Sequence, residues 1–126
     1  MDNETKLTTR LVKAWREMHC EVLNIHGGGY MQAPGWPDVF ICSRVWSGWI
    51  EFKGSKTPIE AHQKRILTAL SVDNNAWFVR FTFQAGRAWC FEIMYENLIV
   101  AMKVDIVGTD GQVAAVLLKE LRRLDT

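Results

Sequence analysis

Two stretches decide how this chain folds: Gly35-Trp36-Pro37-Asp38-Val39-Phe40-Ile41-Cys42 and Trp49-Ile50-Glu51-Phe52-Lys53. Both are rich in the β-branched and aromatic residues of strands. In the second, alternation puts Ile50 and Phe52 on one face and Trp49, Glu51 and Lys53 on the other. Ile50 and Phe52 are ordinary core. A carboxylate and an ammonium two positions apart in an apolar strand are not, because buried charge must be paired or bind metal. Taken alone, Glu51 and Lys53 read as a surface-facing strand with a cross-strand ion pair.

Pro37 changes that reading. It fixes the backbone and lacks an N–H, so the strand ladder starts after it and Asp38 stands at the mouth of the sheet. Two turns compete for the link between strands at 39–44 and 49–53. A turn near Val45-Trp46 sets Asp38 opposite Lys53 and beside Glu51. A Ser47-Gly48 turn, which residue type favours, slides Asp38 away, and a bulge or strong twist must then close the gap. Where the two carboxylates meet, they form an oxygen-ligand site for a hard cation such as Mg2+, with Mn2+ as a substitute. Such an ion lowers the pKa of bound water and neutralises phosphate charge. Lys53 then orients the attacking water or stabilises charge on the scissile phosphate. This is equipment for phosphodiester hydrolysis.

Outward from this centre, Leu7, Leu11, Ala14, Trp15 and Met18 recur at helical spacing, predicting a helix over 4–19. A short strand over 21–26 and a Gly- and Pro-rich loop over 27–37 follow. Thr57 as N-cap, Pro58 at the first helical position and Glu60 predict a helix from 58 to about 72. Gln63 lies one turn from Ile59 and from Leu67, toward the inner face of that helix. The alternative is a glutamine bordering the core and bonded to backbone. Strands at 76–84 and 87–94 make a hairpin through Gln84-Ala85-Gly86. A helical turn and an extended stretch fill 95–106, and an amphipathic helix covers 111–124. The order α-β-β-β-α-β-β-α predicts an α/β sandwich with a mixed sheet.

Gly35-Trp36-Pro37-Asp38, Glu51-Phe52-Lys53 and Gln63 together resemble the PD-(D/E)XK nuclease superfamily. Within it they are most similar to the VRR-NUC group, with its G-x-P-D, E-x-K and downstream helix glutamine. The resemblance spans about two-thirds of the chain. It implies a restriction-endonuclease-like α-β-β-β-α-β core, here with an extra hairpin strand and a C-terminal helix. It implies Asp38, Glu51 and the Phe52 carbonyl as metal ligands, Lys53 as catalytic lysine and Gln63 as the supporting helix glutamine. It adds a glutamate on the first helix, for which Glu4 is the candidate; Glu4 is also simply a favourable first-turn acid. Glu17 shares its face with Lys13 and Arg10 and reads as solvated. Stand-alone members of the group are small and resemble Holliday junction resolvases, which implies DNA as partner, a homodimer and a phage-type origin.

Phosphate contacts are expected from Lys56 above all, ahead of a helix N-terminus. Lys64, Arg65, Arg80, Arg87, His26 and the Gly27-Gly28-Gly29 loop are further candidates. Tyr30, Trp36 and Trp46 are candidates for stacking on bases, with core or subunit packing as the alternative. Val113, Val116, Leu117, Leu121 and Leu124 form either a subunit interface or a cover for the chain's own sheet.

Composition agrees without deciding. The 126 residues fit one domain, with a core over 4–94 and an extension over 95–126 for packing or dimerisation. Hydrophobic residues make up 48%, and the net charge of +1 neither announces nor excludes a nucleic-acid binder. Cys20, Cys42 and Cys90 are an odd set without a C-x-x-C pair, which argues against a disulfide framework and structural zinc. They read as three small buried hydrophobes in a reducing compartment. No stretch reaches the roughly 18 apolar residues of a membrane span, and the charged N-terminus is unlike a signal peptide, so a cytoplasmic location is expected. Three functions compete: an endonuclease on branched DNA, a homing- or restriction-type duplex endonuclease, and a DNA-binding module without catalysis. A module that only binds DNA has no need of Asp38, Glu51 and Lys53.

Overall fold

The alternating apolar runs build six strands: β1 (Glu21–Asn24), β2 (Val39–Cys42), β3 (Gly48–Gly54), β4 (Ala76–Gln84), β5 (Ala88–Met94) and β6 (Val100–Ile106). The computed structural model describes residues 3–25, 35–72, 75–84 and 88–125. The strands lie side by side in chain order. β3 and β4 are parallel and the other neighbours antiparallel. Parallel neighbours need a crossover, and helix α2 (Ala61–Ser71) supplies it. Helices α1 (Asn3–Glu17) and α3 (Asp110–Leu124) complete the described elements.

The sheet has apolar side chains on both faces. On one, Val39, Ile41, Ile50, Phe52 and Val79 pack in a single cluster with Leu7, Leu11 and Trp15 of α1 and Leu117 and Leu121 of α3. The indole N–H of Trp15 donates to the Ala114 carbonyl at 3.0 Å, tying the two helices together. On the other face, Leu67 of α2 closes over Ala76, Phe78 and Met94, with Trp49 and Leu70 at the margin. Glu51 and Lys53 alternate with Ile50 and Phe52 and therefore share the α2 face.

Several expectations change. The turn between β2 and β3 is neither of the two weighed, because Val39 pairs with Ile50 and Ile41 with Gly48. The Ser43 hydroxyl closes the chain early, accepting from the Val45 and Trp46 amides at 3.2 and 2.9 Å. Gly48 is a strand residue, needed for close approach: a Cβ there would lie 2.5 Å from the Asn75 carbonyl oxygen and 2.5 Å from the Trp46 ring. Helix α2 starts at Ala61 with Glu60 as N-cap, three residues later than Thr57 implied. The extended stretch expected within 95–106 is present and joins the sheet as a sixth strand, whereas α1 ends at Glu17, leaving Met18 outside the helix. Val113, Leu117 and Leu121 are buried within the chain, so this face of α3 covers its own sheet instead of forming an interface. Cys20 is buried, but Cys42 is exposed and Cys90 half-buried. No described helix is long and apolar enough to cross a membrane.

Candidate active site

The observed register brings the carboxylates together more directly than either predicted turn. Continuing one step past Val39–Ile50 sets Asp38 opposite Glu51. Asp38 is locked there twice. Its carbonyl accepts from the Ile25 amide at 2.9 Å, and its Oδ2 accepts from the Phe52 amide at 2.8 Å. Because β2 begins only at Val39, a side-chain carboxylate fills the ladder position that a strand would otherwise take. Within a strand, N–H and C=O of one residue point to the same neighbour, so the Phe52 carbonyl also faces the side where Asp38 stands.

Gly35 shapes the approach to Asp38. Its φ of +85° suits glycine, and a Cβ there would lie 2.5 Å from His62 of α2. The Gly35–Asp38 segment is thus pressed against the helix that carries Gln63. Trp36 leans on Trp49, with ring centroids 5.6 Å apart.

Glu51 and Lys53 are 5% and 6% exposed, an unusual burial for charged side chains. Lys53 Nζ lies 3.6 Å from Glu51 Oε2, and Gln63 Nε2 donates to the same oxygen at 3.1 Å. The Gln63 amide is oriented from its other end, where Oε1 accepts from the Glu60 amide at 3.0 Å. Glu51 Oε1 is buried with no hydrogen-bond partner. Burial, reinforced by the charge of Asp38 and opposed by Lys53, raises the Glu51 carboxyl from its ordinary 4.5 to about 9.

These residues fit a hard cation. Two carboxylates face each other, a backbone carbonyl points to the same side, and one carboxylate oxygen is stripped of water and left without a partner. Among the described residues no three His, Cys, Asp or Glu side chains cluster. Glu4 lies in the first turn of α1, and its side chain is outside the described part, as are His26, Gly27, Gly28, Gly29, Tyr30 and Arg87.

The remaining candidates sort by position. Lys56 is exposed, in the segment leaving β3, but α2 begins five residues later, so it does not abut a helix N-terminus. Lys64, Arg65 and Glu17 are exposed on helices. Arg80 turns inward: its guanidinium donates to the carbonyls of Gly54 at 2.7 Å and Thr57 at 2.8 Å. It pairs in register with Lys53 and holds the turn that follows it. Trp46 is buried, and its indole donates to Asp125, which also accepts from Trp77. Sequence reasoning missed this inward use of Arg80, since only the β3–β4 register reveals it.

The fold has a solved counterpart. The chain is similar to Hjc, a Holliday junction resolvase from the archaeal hyperthermophile Archaeoglobus fulgidus, with a TM-score of 0.51 and 16% identity over 89% of this chain and 98% of that one. The architecture is the restriction-endonuclease-like fold, a mixed sheet flanked by helices. No protein-family model matches the sequence, so the VRR-NUC likeness rests on the motif residues alone. No curated protein matches it.

Proposed function

We propose that this chain is a divalent-metal-dependent DNA endonuclease acting on branched DNA such as four-way junctions. The observation that carries the reading is the Asp38–Glu51 pairing beside Lys53, with Glu51 Oε1 buried and without a partner. Such an arrangement costs the fold stability unless a cation and substrate offset it. A protein that only bound DNA would have no use for that cost.

Asp38, Glu51 and the Phe52 carbonyl would hold Mg2+ or Mn2+, with Glu4 a further ligand candidate. When bound, the ion supplies an activated water and charge neutralisation at phosphate. Lys53 presents its ammonium at the same place, stabilising negative charge that develops on the scissile phosphate. Gln63 keeps the Glu51 carboxylate aimed, and Asp38 is aimed by the Phe52 amide. Lys56, Lys64 and Arg65 are exposed cations suited to the DNA backbone. Arg80 acts behind the site by bracing the turn after Lys53. The chain serves as one nuclease unit, with β6 and α3 packed onto the core. Junctions are favoured as substrate by the motif residues and by the fold shared with a junction resolvase. Symmetric cutting of a four-way junction needs two active sites, so the working form is a homodimer.

The test compares wild type with Lys53→Ala on a four-way junction, plain duplex and single strand, in Mg2+ and in EDTA. Metal-dependent junction cutting by wild type, lost in the variant, is expected. Absence of metal-dependent cutting on every DNA overturns the enzyme reading. Sharp cuts at one duplex sequence would instead point to a site-specific duplex endonuclease.

A further inference from the structure

Beside the turn that leaves β3, between α1 and the β4–β5 hairpin, lies a cavity of about 440 Å³. Ser55, in the turn two residues beyond Lys53, forms part of its wall; the cavity lies on the α1 face of the sheet, across the end of β3 from Glu51 and Lys53. Buried Phe81 contributes to its lining. Phe83 and Trp89 also line it, with ring centroids 4.6 Å apart, and Phe83 is 52% exposed. The Arg10 guanidinium lies over the Trp89 ring, 5.7 Å from its centroid. Asp110 grips that guanidinium, the closest contact being 2.6 Å. Arg10 is therefore neutralised and braces Trp89. Lys6, exposed like Arg10, is the second cation lining this cavity.

We propose that this cavity receives an unpaired base of the DNA strand running through the cleavage centre, stacked on Phe83, with a neighbouring phosphate met by Lys6. The proposal rests on the nuclease reading and adds that a base near the cut is unpaired in the bound DNA, as a branch point allows. Three features point to this occupant. An exposed aromatic ring accepts any base, because every base has a π-face. A cation beside an apolar cavity suits a nucleotide, which joins an apolar face to an anion. The cavity also borders the turn at the end of β3 through Ser55, the turn round which a strand would pass from the α2 face, where Glu51 and Lys53 lie, to the α1 face. A base inside an intact duplex is held in its stack and must leave it to enter.

The test uses the full-length wild type in EDTA, so that binding is read without cutting. The probes are a duplex with a single-stranded tail, carrying 2-aminopurine at successive tail positions, and the same duplex fully paired. Phe83→Leu keeps apolar bulk and removes the ring; Phe83→Tyr keeps the ring. Phe83→Leu is expected to weaken tailed DNA about 5- to 150-fold and the paired duplex less than twofold. Fluorescence quenching at one or two tail positions should vanish in Phe83→Leu and persist in Phe83→Tyr. Lys6→Ala should weaken tailed DNA and flatten its salt dependence. Equal binding by Phe83→Leu and wild type, equal losses on both DNAs, or no quenched position overturns the proposal. Cleavage in Mg2+ is scored separately. Metal-dependent cutting without quenching sinks only the cavity, and quenching without any cutting sinks only the nuclease.

Discussion

Glu51→Gln separates the two demands made on this site. In the folded protein the Glu51 carboxyl titrates near 9, against an ordinary 4.5, because it is buried beside Asp38. A raised carboxyl contributes most stability below 4.5, and that contribution is lost as pH rises to about 9. At pH 7 the loss is on the order of 3 kcal/mol, taking roughly 1.4 kcal/mol per pH unit above 4.5. By pH 9 it reaches a ceiling of about 6 kcal/mol. Glutamine keeps the shape and carries no charge to bury. We therefore expect Glu51→Gln to match wild type near pH 4.5 and exceed it by about 2–3 kcal/mol at pH 7 in EDTA. In a domain of this size that is on the order of 6–12 °C in melting temperature. Urea unfolding at pH 4.5, 7 and 9 measures the difference directly. Adding Mg2+ should stabilise wild type and leave the variant unmoved, and the variant should not cleave. A variant less stable than wild type at pH 7, or a difference that does not grow with pH, refutes the reasoning.

Three further outcomes follow from the same geometry. Asp38→Asn can keep an oxygen on the Phe52 amide, so it should fold yet cleave about 100-fold or more slowly; urea titrations should show the Glu51 transition moved to lower pH, because the Asp38 charge helps raise it. Gly35→Ala places a Cβ against His62 at positive φ and should cost about 1–3 kcal/mol, with nuclease activity falling in parallel in a melting and cleavage series. Arg80→Ala releases the Gly54 and Thr57 carbonyls and should cost about 1–3 kcal/mol. It should lower kcat while leaving the salt dependence of DNA binding unchanged, where loss of a phosphate contact would flatten it.

The strands and the helices were largely legible from local pattern, but the register that sets Asp38 opposite Glu51 was not. Pro37 ends the loop, β3 alternates, and Gln63 falls on the inner side of its helix. What could not be read was set by groups distant in sequence. Ser47-Gly48 has turn chemistry, yet Gly48 is a strand residue because the Asn75 carbonyl and the Trp46 ring crowd it. Thr57-Pro58 has helix-start chemistry, yet the Thr57 carbonyl is taken by Arg80 from β4, and the cap falls at Glu60. Phe83 and Trp89 read as strand residues of a hairpin, and only their packing beside α1 makes them a cavity wall.

Gln63 joins these two levels. One end of its amide accepts from the Glu60 backbone at the start of α2, and the other donates to Glu51. The helix start and the aim of the carboxylate are thus a single hydrogen-bonded arrangement, and the amide cannot flip without breaking both ends. Gln63→Glu puts an acceptor in place of the amide donor against Glu51 while keeping the Glu60 contact. Gln63→Ala removes both contacts. If positioning is what matters, Gln63→Ala should lower kcat about 10- to 100-fold with little change in KM. Its α2 amides near Glu60 should also exchange hydrogen faster. Gln63→Glu should protect those amides as wild type does and still lose cleavage. Normal cleavage by Gln63→Glu would show that the glutamine merely caps the helix and that Glu51 is aimed by Lys53 alone.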